Sequence, residues 1–168
     1  ALTDSGNLTV AGLTTLNAGA ANNITLDAAN DFTTVSIVSS NDVVLNDVTA
    51  LDLGASTISG TLTVTTGGAL TQSGALVTPN LAVTSNGPVT LTNPANDLDT
   101  LAAQVNGAGN GLQLTDVDGL AVGTVRHQHA VQQQSDQAEE HDRDCGGGEV
   151  ACAGHQAVPP LSADAAAS

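Results

Sequence analysis

The chain has 168 residues, which is long enough for one domain with a core of its own. Its formal net charge is −15. Residues 1–125 carry ten aspartates and no lysine, arginine or histidine, which argues against nucleic-acid binding and against anionic membrane surfaces, because both need cationic side chains. Phe32 is the single aromatic residue, which argues against an ordinary sandwich built round large rings.

The sequence shows no transmembrane segment and no signal peptide. No window has the roughly 18 consecutive apolar residues of a transmembrane helix. No charged n-region is followed by an apolar h-region, so no signal peptide is visible, and the chain begins at Ala1 without a methionine. We therefore expect a fragment or a processed product of a longer protein.

Residues 1–21 are expected to form an irregular first coil. The triplet Leu8-Thr9-Val10 has the apolar–polar–apolar form of Ile24-Thr25-Leu26, but it precedes that triplet at a spacing of only 16. Terminal repeats of solenoids are commonly atypical, so a shortened or distorted first coil is predicted.

From residue 22 onwards, short apolar triplets recur with a period of 19. Their first positions are Ile24, Val43, Leu62 and Leu81, then Leu101 after a step of 20 and Leu120 after a further step of 19. A second column contains Leu51, Leu70 and Val89, and a third begins with Ile58 and Val77. The triplets alternate side-chain direction and are rich in β-branched residues, which favours strands over helix. A fixed period of this size indicates a parallel β-helix of about 19 residues per coil.

Glycine and asparagine recur between the predicted strands. Gly68 and Gly87 are related by the same spacing of 19, and Asn22, Asn41 and Gly60 form another such column. Both residue types tolerate positive φ, so these positions are predicted to be corners between the faces of the β-helix.

Residues 1–125 resemble the filamentous-haemagglutinin-like adhesins, which are β-strand-repeat exoproteins of Gram-negative bacteria. The resemblance rests on the period, the strand triplets, and the segments 96–103 (NDLDTLAA) and 114–125 (LTDVDGLAVGTV). It implies a right-handed parallel β-helix, secreted or at the cell surface, exported through an outer-membrane secretion partner or an autotransporter barrel. Asn93-Pro94 lacks the rest of the family's secretion motif, so that role is not transferred.

Four aspartates form the sharpest candidate site. Asp116 and Asp118 follow Asp97 and Asp99 at a spacing of 19, so the two pairs are expected to stack on adjacent coils. Stacked carboxylates would suit Ca²⁺, which takes oxygen ligands, although solvated carboxylates that splay apart are the alternative. No other cofactor is expected.

The same carboxylates also invite an enzyme hypothesis, because parallel β-helices include polysaccharide-degrading enzymes. Paired carboxylates can act as acid and base in glycoside hydrolysis. The repeat region has no cationic base and no aromatic sugar platform, so we expect no catalysis. The segment 106–112 (NGAGNGL) lacks the aspartate of calcium-binding nonapeptides and is expected to be a flexible corner.

At Arg126 the composition changes abruptly. Residues 126–168 contain no threonine and hold every arginine, histidine and cysteine of the chain. A low-complexity, disordered tail is predicted, and translation in a shifted reading frame would produce the same change. The spacing of its metal-ligand types matches no standard zinc site. Those residues are His127, His129, His141, Cys145, Cys152 and His155.

The sequence therefore predicts a non-catalytic shaft segment of a secreted bacterial adhesin. A β-helix face that binds a host-surface glycan or host protein is the second hypothesis, and a polysaccharide-degrading enzyme is the third. Segment 1–125 is expected to bind no nucleic acid and not to insert into a membrane.

Overall fold

In the computed structural model, residues 1–123 are described, and they contain strands and turns but no helix. Accordingly, this range has no helix long and apolar enough to cross a bilayer. The range lies within one unit of the chain, Ala1–Arg126. Its strands are β1 (Leu2–Thr3), β2 (Thr9–Asn17), β3 (Ile24–Ser39), β4 (Val43–Asp47), β5 (Leu51–Leu53), β6 (Ser56–Thr57), β7 (Thr61–Thr66), β8 (Leu70–Gln72), β9 (Leu76–Ser85), β10 (Val89–Leu91), β11 (Asp97–Val105), β12 (Leu112–Leu114) and β13 (Ala121–Val122).

The strands wind into a parallel β-solenoid of about six turns with about 20 residues per turn. Every described strand pair is parallel, and each strand pairs with the equivalent strand of the neighbouring coil. The predicted all-β parallel β-helix is confirmed. At the strand spacing of about 4.8 Å, six coils make a stack about 30 Å long.

Each coil presents up to three faces, which we name A, B and C. Face A contains β1, the first part of β3, β4, β7, the later parts of β9 and β11, and β13. Face B contains β2, the later part of β3, β5, β8, β10 and β12. The narrow face C contains β6 and the first parts of β9 and β11.

On face A the predicted register is confirmed over the central coils. Ile24 pairs with Val43, Val43 with Leu62, and Leu62 with Leu81, each at a spacing of 19, and Leu81 then pairs with Leu101. The neighbouring inward file is equally continuous. It consists of Leu26, Leu45, Val64 and Val83, which are 0–3% exposed.

The core is the narrow aliphatic space between these faces. Leu51 and Leu70 from face B are fully buried opposite the face A files, as the second predicted column requires. Phe32 is also buried, at 1% exposure. Backbone hydrogen bonds run from coil to coil, so each coil supplies both apolar packing and ladder partners to the next.

The first coil departs from the prediction. Leu2 pairs with Ile24, and Val10 pairs with Phe32, so the first coil advances by a step of 22 and the expected pairing of segment 8–10 with segment 24–26 is wrong. A register shift between Val10 and Leu13 accommodates part of the difference, with Gly12 at a φ of 141°. A single apolar–polar–apolar triplet is too short to predict which residues of the next coil it pairs with.

The last described coil also departs from the prediction. Leu101 pairs with Val122, a spacing of 21, so the predicted pairing with Leu120 is wrong. On face B, Val89 pairs with Leu112, a spacing of 23. The extra residues lie in the turn that follows β11, where an insertion lengthens the coil without breaking the ladder.

The third predicted column is out of register by one position. Val77 pairs with Thr57 instead of Ile58, and it is 38% exposed, whereas Ile58 is 2% exposed. A shift by a single position exchanges the inward and outward faces of a strand, which explains the difference in burial. The buried residues on either side of Val77 are Leu76 and Thr78.

The recurring glycines serve close packing between coils. No described non-glycine residue has a positive φ, and neither Gly68 nor Gly87 has one. A Cβ at Gly87 would meet the Ala69 nitrogen at 2.5 Å, so a side chain there would collide with the backbone of the coil below. Gly68 and Gly87 do lie at corners, as predicted. Glycine is needed there because the next coil leaves no space for a Cβ, and not because the backbone is left-handed.

Residues 126–168 lie outside the described residues. The predictions made for them are disorder, a shifted reading frame and the absence of a standard zinc site.

Substituting one inward residue of the face A file tests the packing. Leu62 is fully buried, so Leu62→Ala is expected to lower the free energy of unfolding by about 2–5 kcal/mol through lost apolar contact and a residual cavity. Thr63→Ala, at the adjacent outward position, is the matched control. Denaturant titration of both variants measures the difference, and equal stability losses would contradict the packing.

Candidate functional site

The four predicted aspartates lie at the edge of the described solenoid. Asp97 and Asp99 belong to β11 and are exposed. Asp116 and Asp118 lie in the turn between β12 and β13, where Asp116 is half-buried and Asp118 is exposed.

Two of these carboxylates already accept hydrogen bonds from backbone N–H groups. Oδ1 of Asp116 accepts a hydrogen bond of 3.0 Å from the N–H of Leu98, and Oδ1 of Asp118 accepts one of 2.7 Å from the N–H of Gly119. Oδ2 of Asp116 is shielded from solvent and has no hydrogen-bond partner among the described residues. Asp116 therefore acts as a cap for the strand below it.

The structure does not bring the four carboxylates together. Within residues 1–123, no group of three or more histidine, cysteine, aspartate or glutamate side chains is placed to hold a metal ion. The prediction assumed a step of 19, whereas Thr100 pairs with Ala121 in this coil, a step of 21. At that step the two pairs no longer stack member for member, because among the four only Asp97 and Asp118 are 21 residues apart.

Sequence reasoning missed a set of buried polar side chains that cap backbone groups at the corners. Oδ1 of Asn30 accepts from the N–H of Leu8 at 2.8 Å, and Oδ1 of Asn96 accepts from the N–H of Leu76 at 3.0 Å. Both asparagines are fully buried. An unpaired N–H in such a position would cost about 1–3 kcal/mol, so each cap repairs an interruption of the ladder.

Asp47 is a buried carboxylate that has no cation beside it among the described residues. It is 1% exposed, Oδ2 accepts from the N–H of Phe32 at 2.6 Å, and Oδ1 accepts from the N–H of Thr49 at 2.9 Å. The Thr49 hydroxyl, 3.3 Å from the same Oδ1, has its closer acceptor in Oδ1 of Asp31 at 2.8 Å. Hydrogen bonds to an ionised acceptor are stronger than neutral ones, and they offset part of the cost of removing this charge from water.

Asp47 also begins a polar column inside face A. It pairs with Thr66, Thr66 pairs with Ser85, and all three are buried. The Thr66 hydroxyl donates to Oγ of Ser85 at 3.1 Å, and the Ser85 hydroxyl donates to the Gly87 carbonyl at 2.9 Å. The sequence contained a signal for this column, because its members recur at the spacing of 19.

The densest polar contact is a reciprocal amide pair between Gln72 and Asn96. Nε2 of Gln72 donates to Oδ1 of Asn96 at 2.8 Å, and Nδ2 of Asn96 donates back to Oε1 of Gln72 at 2.9 Å. Nδ2 of Asn96 also reaches the carbonyls of Leu91 and Thr115. Asn96 therefore joins three successive coils by hydrogen bonds, and its role is architectural.

The described surface offers no aromatic platform for a ligand, because Phe32, the one aromatic residue, is buried. The glycine-rich turn 106–111 is held by side-chain hydrogen bonds of Asn106 and Asn110 to neighbouring residues. The polar side chains described above form hydrogen bonds with backbone groups and link adjacent coils.

A sequence profile described as "Repeats of unknown function (DUF5649)" matches the chain over residues 1–39 and 40–105. The first match ends at the end of β3, and the second ends at the end of β11. No curated protein and no solved structure matches the chain.

The geometry of the four aspartates predicts the response to calcium. Millimolar Ca²⁺ and millimolar Mg²⁺ are expected to give the full chain the same unfolding temperature, because no group of three or more carboxylate side chains is placed to hold a metal ion in the described range. Differential scanning fluorimetry measures both. A rise specific to Ca²⁺ that Asp116→Asn removes would restore the calcium hypothesis.

The buried amide pair makes a second prediction. Asn96→Ala is expected to cost at least about 2 kcal/mol of unfolding free energy, because the Leu76 N–H, two carbonyls and the Gln72 amide lose a buried partner. Asn80→Ala, on an exposed side chain, is the control. A double-mutant cycle with Gln72→Ala should show coupling, and strictly additive losses would contradict the pair.

Proposed function

The chain belongs to the family of repeats described as DUF5649, and from its architecture we propose that it is a non-catalytic shaft segment of a secreted bacterial surface adhesin. The observation that carries the proposal is the unbroken inward file of face A, with coil-to-coil pairing of β4, β7, β9 and β11. Such a stack can be extended by adding coils and needs no other domain for its core.

Axial continuity supports a mechanical role. The hydrogen bonds of a parallel β-helix run between coils, so tension along the stack is shared by the ladders of all its faces. Buried caps such as Asn96 add side-chain bonds across the same junctions. A segment of this kind would hold an adhesive tip away from a cell.

The charge of the segment supports a surface role. Ten aspartates and no cationic side chain lie in residues 1–125. Like charge keeps neighbouring shafts apart and soluble. We infer export through an outer-membrane secretion partner or an autotransporter barrel, and folding that propagates from coil to coil would let the chain fold as it emerges.

A second candidate function is a direct binding surface on face A. The register places Thr61, Asn80 and Thr100 in one outward column, and Thr65, Thr84 and Gln104 in another. These hydroxyl and amide groups would suit a host glycan or protein surface. Binding of the full chain to a glycan array, lost in Thr65→Ala/Thr84→Ala, would favour this function over a passive shaft.

Surface display tests the shaft proposal. Fused as the passenger of an autotransporter barrel in a Gram-negative host, the full chain is expected to reach the cell surface and to present an N-terminal epitope to antibody on intact cells. Thermolysin is the suitable protease, because trypsin has no lysine or arginine to cleave in residues 1–125. Resistance of the displayed segment to thermolysin is expected.

Two neighbouring substitutions provide the control. Leu81→Asp places a charge in the buried file, whereas Ala82→Asp places the same charge on the outward side of the same strand. If the coils depend on one another, only Leu81→Asp is expected to make the displayed segment sensitive to thermolysin, with cleavage both before and after residue 81. Retention of the unaltered chain in the periplasm, or its rapid digestion at the surface, would contradict the shaft.

A further inference from the structure

Three asparagines in the described range precede a glycine: Asn86, Asn106 and Asn110. At such a bond the glycine nitrogen can attack the side-chain carbonyl carbon of the asparagine, since no Cβ hinders the approach. The attack requires an accessible, unbonded N–H and backbone that can move. The three sites differ sharply in both respects.

The site at Asn86 is closed. Gly87 is buried, and its N–H donates to Oγ of Ser85 at 3.2 Å. A Cβ at Gly87 would meet the Ala69 nitrogen at 2.5 Å, so the backbone of the coil below lies directly against it. Gly87 therefore has neither a free nitrogen nor room to approach the Asn86 side chain.

The site at Asn110 is open. Gly111 is exposed, and although its carbonyl accepts from the N–H of Val89, its own N–H has no hydrogen bond to any residue in the range 1–123. An added Cβ at Gly111 would meet no atom within 4 Å, so the space on that side is empty. Within the same range, the Asn110 amide is held at its nitrogen end only: Nδ2 donates to the carbonyls of Asn106 and Asn86, and Oδ1 accepts no hydrogen bond.

The site at Asn106 is intermediate. The N–H of Gly107 is also unbonded within residues 1–123, but the Asn106 amide is held at both ends. Its Oδ1 accepts from Gln104 at 3.0 Å, and its Nδ2 donates to Oδ1 of Asn86 at 3.0 Å. These bonds hinder the rotation of the Asn106 side chain toward the Gly107 nitrogen.

We propose that Asn110 is a site of self-modification, converted by its own neighbouring glycine and water to aspartate and isoaspartate. The Gly111 nitrogen forms a bond to Cγ of Asn110 and gives up its proton, while the Cγ–Nδ2 bond breaks and ammonia leaves. Water then opens the resulting succinimide ring at either carbonyl. The net change is the addition of one water and the loss of one ammonia, with no oxidant or enzyme.

The conversion removes a brace of the last described coil. Nδ2 of Asn110 donates to the Asn106 carbonyl at 2.6 Å and to the Asn86 carbonyl at 3.2 Å, so it ties the inserted turn to the coil below. The product carboxylate has no donor for these carbonyls and adds a negative charge beside them. The turn 106–111 is therefore expected to open locally as the protein ages.

Peptide mapping of the folded full chain during incubation at mildly alkaline pH tests the proposal. Conversion is expected to be fastest at Asn110, slower at Asn106 and slowest at Asn86. An aspartate-directed protease distinguishes the products, because it cleaves before a new aspartate but not before isoaspartate. In denaturant all three sites are expected to react at similar rates, because the protection at Asn86 comes from the fold.

Gly111→Ala is the matched variant, because the new Cβ meets nothing and the glycine is not in a left-handed conformation. It is expected to slow conversion at Asn110 several-fold, with conversion at Asn106 and the unfolding temperature unchanged. Equal rates at the three sites of the folded chain, or an Asn110 that persists while the denatured chain converts, would overturn the proposal. The display experiment is independent of this chemistry, so either proposal can fail alone.

Discussion

The structure depends on one constraint, that the backbone of every coil finds its hydrogen-bond partners in the coils above and below. An aliphatic file such as Leu26–Leu45–Val64–Val83 excludes water from that interface, so an unpaired N–H or C=O there would have no alternative partner. The chain meets this requirement by keeping equivalent residues in register over the central coils. Insertions occur at the turns, where extra backbone can reach solvent.

Polar side chains complete the ladder where strands end. Asn30, Asp47 and Asn96 are each almost fully buried, and each accepts a hydrogen bond from a backbone N–H of a neighbouring coil. This explains how a segment without lysine, arginine or histidine accommodates a buried carboxylate, since the backbone N–H groups of Phe32 and Thr49 take the place of a cation. The same caps strengthen the junctions between coils, which is where a shaft under tension would be stressed.

The proposed shaft and the proposed self-modification follow from the same architecture viewed at different positions. Where coils pack at full density, as at Gly87, the backbone cannot move and its chemistry is suppressed. Where an insertion projects, as at Asn110 and Gly111, the backbone is exposed and the side chains of Asn106 and Asn110 hold the turn in place. Stability and lability are thus distributed along the stack according to local packing.

The sequence by itself determined the solenoid, its parallel register on face A over residues 24–101 and the identity of the inward files there, because aliphatic residues recur at a fixed spacing. It also contained, unrecognised, the column of Asp47, Thr66 and Ser85. Only the tertiary structure decided the lengths of the first and last coils, because turns insert residues without leaving a periodic trace. It alone decided that the four aspartates assemble no group of three or more metal-ligating side chains in the described range, and it alone joined Gln72 to Asn96, since those outcomes depend on which coil lies over which.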